Sequence, residues 1–297
     1  MPRKIIAFGE LLWDCFPSGE VLGGAPANFA YRINSLGHHG YLVSRLGRDE
    51  RGARAAEIVR ENGMSLDFVQ WDDTHPTGIV PITVGPDGSP DFTIVPDVAY
   101  DHIEPTADLL TLAAKADGIC FGTLIQRGPV SRATLNLVLD AAPQALKVLD
   151  LNLRKDCYAA ETIIKSLERA DILKLNENEA EMLAGMFGLP DDFASFVANA
   201  VEKWELDYCV VTLGANGAVA ASRDGEVEQV SGRQIKVVDT CGSGDAFTAG
   251  FVHGIFEGAS LAEACAFANS LGTAVAQTRG GTAPVSVAFA RRDTPCQ

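Results

Sequence analysis

Short apolar runs, each followed by a stretch with helical spacing of its apolar positions, recur along most of the chain. Residues 4–8 read as a buried strand. After a glycine-rich bend, a helix runs from about Pro26 to Leu36, with Gly37 as its stop. Residues 41–46 give the next strand and 50–62 the next helix, ended by Gly63. The runs at 118–121, 147–151, 171–175 and 208–213 repeat the alternation. Later, Ile235, Val237 and Val238 read as a short buried strand, and Phe247, Phe251 and Ile255 then recur every four residues on one face of a helix. This rhythm predicts an α/β fold: a mostly parallel sheet covered by helices on both faces, with ligands at the carboxyl ends of the strands. One stretch breaks it. Residues 78–84, a turn at Gly85-Pro86-Asp87-Gly88-Ser89-Pro90 and residues 91–95 predict a β-hairpin set off the main sheet.

Between the strand predicted at 235–238 and its helix stands Asp239-Thr240-Cys241-Gly242-Ser243-Gly244-Asp245. A turn of small residues at a helix start exposes several unpaired backbone N–H groups, and the helix dipole adds roughly half a positive charge. Gly242 and Gly244 carry no side chain to hold an anion off the backbone. Asp245 sets a carboxylate beside a place built for negative charge. The positive helix end favours its ionised form, which makes it a proton acceptor. A base beside a phosphate cradle suits phosphoryl transfer to an alcohol, and equally the hydrolysis of a phosphate ester. A helix-capping acid would explain Asp245 alone, but not the Gly-Ser-Gly before it.

Composition changes the picture only a little. At 297 residues, 47% of them hydrophobic, the chain has ample material for a core. No apolar run approaches the ~18 residues of a membrane span, and the opening Met-Pro-Arg-Lys-Ile-Ile lacks a signal-peptide core. Seven scattered cysteines, odd in number and without a Cys-x-x-Cys, fit reduced thiols in the cytoplasm. A formal charge of −15 argues against nucleic acid as a partner. It would also repel a nucleotide, but screening over ~8 Å leaves local donors to decide.

The heptapeptide resembles the signature Asp-Thr-x-Gly-Ala-Gly-Asp of the ribokinase-like sugar kinases, the PfkB family, with Cys241 at the variable position and Ser243 in place of Ala. A second motif of that family is matched by Gly23-Gly24-Ala25-Pro26-Ala27-Asn28, leading to Leu36-Gly37. The likeness runs from Gly9-Glu10 to Gly280-Gly281 and is nearest to bacterial fructokinase-like members, on the strength of Asp150-Leu151-Asn152-Leu153-Arg154. It implies a three-layer α/β/α sandwich forming one kinase domain over 1–297, with a small β lid from about 12–22 and 78–98. Only nine positions separate Asp14 from Gly23, so an abbreviated lid is expected. Relatives often dimerise through the lid, which leaves a monomer or a homodimer open here.

The resemblance assigns roles residue by residue. Asp14 would accept from sugar hydroxyls, Gly23 and Gly24 would lay the sugar on bare backbone, and Asn28 would bind it one turn on. Asn176 and Glu179 match a motif associated with magnesium, Glu179 acting through coordinated water. Arg154 is placed to stabilise the transferring phosphate. Thr212, Gly214 and Gly217 match a Thr-x-Gly-x-x-Gly beside the ATP phosphates, and Asn269 falls at the adenine pocket. Asp239 and Gly281 lie where some relatives hold a monovalent cation such as potassium. The residues themselves leave blander readings open: a solvated loop acid at Asp14, a polar helix start at Asn176–Glu179, and a structural pair of Arg154 with Asp150 or Asp156.

Other nucleotide and hydrolase signatures are absent, namely Gly-x-x-x-x-Gly-Lys-[Ser/Thr], His-Arg-Asp, Asp-Phe-Gly and Gly-x-Ser-x-Gly. These absences narrow the choice, and what the resemblance implies is an ATP- and magnesium-dependent sugar kinase of fructokinase type. Asp245 would be the base, and the amides of Gly242, Ser243 and Gly244 would form the anion hole. A kinase for ribose, a nucleoside or 2-keto-3-deoxygluconate remains open, as does a non-catalytic sugar-binding regulator.

Overall fold

The computed structural model describes residues 1–84 and 90–286. Its strands and helices follow in the order β1 (Lys4–Phe8), β2 (Leu12–Phe16), β3 (Gly19–Gly23), α1 (Ala25–Ser35), β4 (His39–Gly47), α2 (Glu50–Glu61), β5 (Val69–Asp72), β6 (Gly78–Val84), β7 (Pro90–Phe92), α3 (Ala107–Ala113), β8 (Gly118–Phe121), α4 (Pro129–Ala141), β9 (Leu146–Asp150), α5 (Ala160–Leu167), β10 (Ile172–Asn176), α6 (Glu177–Phe187), α7 (Phe193–Trp204), β11 (Tyr208–Thr212), β12 (Gly217–Ser222), β13 (Val227–Ser231), α8 (Ser243–Phe256) and α9 (Leu261–Ala276).

The strands form two sheets. The large one runs β13-β12-β11-β10-β9-β8-β1-β4-β5. It is parallel from β5 through β11, and β12 and β13 close that edge antiparallel. Strands such as β1 and β8 read as short apolar runs because both faces of the sheet are covered. Ile6 and Phe8 of β1 point into a core shared with Leu135 of α4, Leu183 of α6 and Phe196 of α7. Ile5 and Ala7 point into a second core with Phe29 of α1, Phe251 of α8 and Leu271 of α9. Among the described residues no helix is long and apolar enough to cross a membrane.

The small sheet runs β3-β2-β6-β7. The hairpin expected after residue 78 is there as β6 and β7, paired Ile82 with Phe92; its turn at 85–89 lies outside the described residues. The nine positions from Asp14 to Gly23 are spent on a tight hairpin with Asp14 opposite Val21, so the economy falls on the turn and the sheet keeps four strands.

One expected strand is missing. Val237 and Val238 are 54% and 51% exposed, and the amides of Val238 and Asp239 both donate to the Ala276 carbonyl at the end of α9. The β-branched run is real, but β13 already closes the nearby sheet edge, so the chain is captured by a helix terminus instead.

Candidate active site

The carboxyl ends of β8 to β11 make a row, and parallel register decides what stands there. Lys174 of β10 lies opposite Asp150 of β9, and Asn176 lies opposite Thr212 of β11. Lys174 is buried in an otherwise apolar strand, and its Nζ donates to Asp150 Oδ1 at 3.1 Å. Thr248 of α8 donates its hydroxyl to Asp150 Oδ2 at 2.7 Å. Sequence reading passed over Lys174 and Thr248. The signal was a lysine inside Ile172-Leu173-Lys174-Leu175, where a buried cation must be paired.

Above this row sits the start of α8. Gly242 caps the helix at φ 75°, and a Cβ there would lie 2.3 Å from Gly281 Cα, so only glycine fits. The two motifs of the sequence meet here. Asn28 Nδ2 donates to Asp245 Oδ2 at 2.8 Å across 217 residues of chain. Arg32, one turn further along α1, donates to the Gly281 and Ala283 carbonyls and so fixes the loop that backs Gly242. Among the described residues no backbone carbonyl takes the amides of Gly242, Gly244 or Asp245. Ser243 departs from expectation: its amide donates to the Thr240 carbonyl at 3.2 Å, which closes the turn, and its hydroxyl donates to Gly272 of α9. Among the described residues the amides left without a backbone carbonyl at this helix start are those of Gly242, Gly244 and Asp245, while Ser243 secures the turn.

Burial sets the charge states. It pushes Asp245 up from 3.8 to about 6, helped by nearby Asp150, while Asn28, Lys174 and Arg154 pull the other way. This reverses the direction expected from the helix end alone, because the carboxylate is desolvated as well as capped. Asp245 is nonetheless mostly ionised at neutral pH and well matched to accept a proton there. Glu10, just past β1, is buried beside it and pushed up to about 7, chiefly by desolvation. For Lys174, burial pulls its ammonium down, but Asp150, Glu179 and Asp245 outweigh that, and its pKa stands above the ordinary value. If Asp245 is the base, kcat/KM of the free enzyme rises with pH through about 6 and levels off above 7. A pH–rate series at fixed ionic strength checks this, and a limb near 4 would show that the base is a solvated acid elsewhere.

On the small-sheet side, Asp14 is half-buried with its pKa raised by desolvation and countered by Arg154. A Cβ on Gly23 would lie 2.7 Å from Asp14 Oδ2, and one on Gly24, at φ 118°, would lie 2.3 Å from the Glu10 carbonyl oxygen. The Gly-Gly pair therefore lets the chain turn tightly between these two acids. Arg154 is exposed and makes no ion pair with Asp150 or Asp156; its charge bears on Glu10, Asp14 and Asp245 together. A cleft lined by Glu10, Phe29, Thr123, Asp150, Asn152 and Asp245 opens between β1 and α8.

The remaining candidates lie around the strand ends. Asn176 and Glu179 form a capping box on α6: Asn176 Oδ1 accepts from the Glu179 amide, and Glu179 Oε2 from the Asn176 amide. Glu179 Oε1 also accepts from Leu153 N at 2.8 Å. With both carboxylate oxygens engaged, a hydrated magnesium reached through water fits this oxygen-donor pair better than direct ligation. Thr212 Oγ1 donates to the Leu175 carbonyl, and Gly214 and Gly217 bound the turn into β12. Asn269 of α9 donates to Ser231 O at the end of β13, the far side of the same edge. Asp239 ties two loops, accepting from Cys241 N and Gly280 N. Arg127 does not reach the cleft; Asp101, Tyr100 and the Val95 carbonyl hold it at the base of the small sheet.

A family model described as pfkB family carbohydrate kinase matches residues 4–288. Fructokinase-1 of Oryza sativa subsp. japonica is 30% identical over 307 residues, covering 94% of this chain and 93% of its own. The fructokinase of Escherichia coli is 27% identical over 267 residues, covering 86% and 85%. Among solved structures, an uncharacterized sugar kinase from Pyrococcus horikoshii in complex with ATP superposes with a TM-score of 0.81 at 26% identity, covering 98% of this chain and all of that one.

Proposed function

The chain belongs to the pfkB family of carbohydrate kinases and is an ATP-dependent sugar kinase of ribokinase-like fold, and we propose that its acceptor is fructose. The observation that supports the chemistry most is the hydrogen bond between Asn28 and Asp245, which joins the Gly-Gly motif to the base at the helix end. Asn28 occupies Oδ2 and leaves Oδ1 of Asp245 for a sugar hydroxyl. That hydroxyl loses its proton to Asp245 as its oxygen bonds the γ-phosphorus. The bond from the γ-phosphorus to the β,γ-bridging oxygen breaks, and ADP leaves with that electron pair. Amides of Gly242 and Gly244 and the Arg154 guanidinium face the charge on the group in flight. Glu179 and Asn176 would hold a hydrated magnesium, which would supply positive charge to the ATP phosphates. Thr212, Gly214, Gly217 and Asn269 line the nucleotide side. We read the small sheet as a lid that keeps water from competing with the sugar.

Fructose as the acceptor rests on the relatives that are fructokinases by name. A neutral sugar is further favoured because Arg32, Arg45 and Arg127 are all engaged within the fold, leaving few cations for a second anionic group. The free cysteines fit a cytoplasmic chain. Exposed Phe16, Val21 and Phe92 on the lid strands favour a homodimer over a monomer, and sedimentation velocity distinguishes the two.

A coupled ATP-consumption assay over fructose, ribose, glucose, adenosine and 2-keto-3-deoxygluconate, with magnesium and with or without potassium, tests the reading. Fructose is expected to give the highest kcat/KM. A stronger response to another alcohol would keep the kinase and replace the acceptor. ATP binding without turnover on any acceptor would favour the regulator reading.

A further inference from the structure

A second cavity, of about 160 Å³, opens between α4 and α5 beside the end of β8. Arg132 and Asn136 line it from α4, and Thr162, Lys165 and Ser166 line it from α5. Residues three or four apart share a helix face, so each helix turns one polar stripe toward the gap. Gln126, from the turn between β8 and α4, lines it as well. Phe121 belongs to the walls of both this cavity and the active-site cleft, so the two spaces are neighbours.

The floor is buried polar surface: Gln126, Thr162 and Ser166 are 5%, 7% and 2% exposed. Neighbours fix the Gln126 amide. Its Nε2 donates to the Gly122 carbonyl at 2.8 Å and to Ser166 Oγ at 2.9 Å, and Ser166 Oγ in turn donates to the Thr162 carbonyl. A carbonyl only accepts, so the amide cannot be turned round, and both its hydrogens are spent. Gln126 Oε1 is left on the cavity wall with no donor among the described residues. The Thr162 hydroxyl lines the same wall and makes no hydrogen bond among them. Polar groups this deep are nearly always paired. An acceptor beside a hydroxyl calls for a ligand that carries O–H groups of its own.

The rim is cationic. Arg132 is exposed and takes no ion pair among the described residues, and its charge bears on Glu161 across the gap. Lys165 Nζ meets Glu161 Oε1 and Arg169 Nη2 meets Asp140 Oδ1, each at 2.6 Å. Both cations keep further N–H donors for a ligand, and the Lys165–Glu161 pair is exposed and therefore weak. Three cations and one acid on this wall reverse the sign of a chain whose formal charge is −15. Arginine and lysine together suit a phosphate group. At ~30 Å³ per water the space holds about five, which excludes a nucleotide and admits a short polyol with its phosphate at the rim.

We propose that the cavity between α4 and α5 binds a phosphate monoester of a short polyol. Its hydroxyl groups meet Gln126 Oε1 and Thr162 Oγ1, and its phosphate lies among Arg132, Lys165 and Arg169. Gln126 also holds the Gly122 carbonyl, and Gly122 and Thr123 line the active-site cleft, so the ligand rests one side chain away from that cleft. The site is separate from the candidate active site and does not rest on the kinase reading.

The test is calorimetric titration of the full chain with glycerol 3-phosphate at fixed ionic strength. A non-hydrolysable ATP analogue and magnesium are present throughout, so that the cleft is filled. The expected result is one site per chain with a Kd below ~1 mM, and at least ~10-fold weaker binding of glycerol or inorganic phosphate, each of which makes only part of the contact. Arg132→Gln removes a charge-assisted bond and is expected to weaken binding ~10–100-fold, and Thr162→Val, which removes one neutral bond, ~3–10-fold. Neither side chain bonds another described residue, so the ligand-free Tm should stay near that of the parent. Binding weaker than ~1 mM would overturn the proposal, as would binding that appears only without the nucleotide analogue. Equal affinity for inorganic phosphate, or affinity unchanged in both variants, would overturn it too.

Discussion

Asp245→Asn is expected to lower kcat by ~10²–10⁴, the usual worth of a positioned base, without loss of the fold. The substitution keeps the shape and leaves an oxygen to accept from Asn28 Nδ2, so the junction between α1 and α8 survives. Burial holds the folded pKa at about 6, above the 3.8 of the solvated acid. The stability contribution of a group raised in this way is complete below 3.8 and is lost as pH rises through about 6. At pH 7.5 the ionised Asp245 therefore costs stability, on the order of 2–3 kcal/mol. The neutral variant should melt at or above the parent temperature while turning over far more slowly, which is a trade of stability for chemistry. Thermal unfolding and steady-state kinetics on one preparation check both halves. Parent-like kcat in a folded variant would remove Asp245 from the chemistry, and a large fall in Tm would assign it a structural role.

Much of the fold was legible because a parallel sheet buried on both faces leaves a simple record. Runs such as Ile5–Phe8 and Cys209–Val211 are apolar throughout, and helix stops fell at glycines such as Gly37 and Gly63. Val237 and Val238 misled because local β preference says nothing of whether a partner strand is free. The acid proposed as the base and the turn before it also stood out in the sequence, since a Gly-x-Gly before an acid at a helix start is an unusual pattern. The pairing beneath them did not. Asp150 and Lys174 are 24 residues apart, and only the parallel register of β9 and β10 brings them together. The direction of the Asp245 shift was likewise hidden, because desolvation belongs to the packed site and not to any motif. Arg154 and Glu179 show the complementary case: family likeness named them, while in the structure the Arg154 charge lowers the pKa of the cleft acids and Glu179 spends both oxygens on backbone amides.

Lys174→Met should have the second largest effect, and its readouts separate electrostatics from packing. Lys174 is buried against Asp150 and also counters the burial of Asp245. Removing it leaves Asp150 with the Thr248 hydroxyl as its described side-chain partner. Breaking a buried pair from one side costs about 3–5 kcal/mol, so Tm should fall by many degrees. The remaining carboxylates then repel with less compensation, and the Asp245 pKa rises further. The acid limb of kcat/KM should move to higher pH than in the parent, although Lys174 touches neither sugar nor nucleotide in this reading. A second change completes the argument. Asp150→Asn combined with Lys174→Met removes both charges, so stability should recover much of the loss and the limb should return toward about 6. If Lys174 only filled space, the single variant would lose stability with its limb unmoved, and removing the Asp150 charge would bring nothing back.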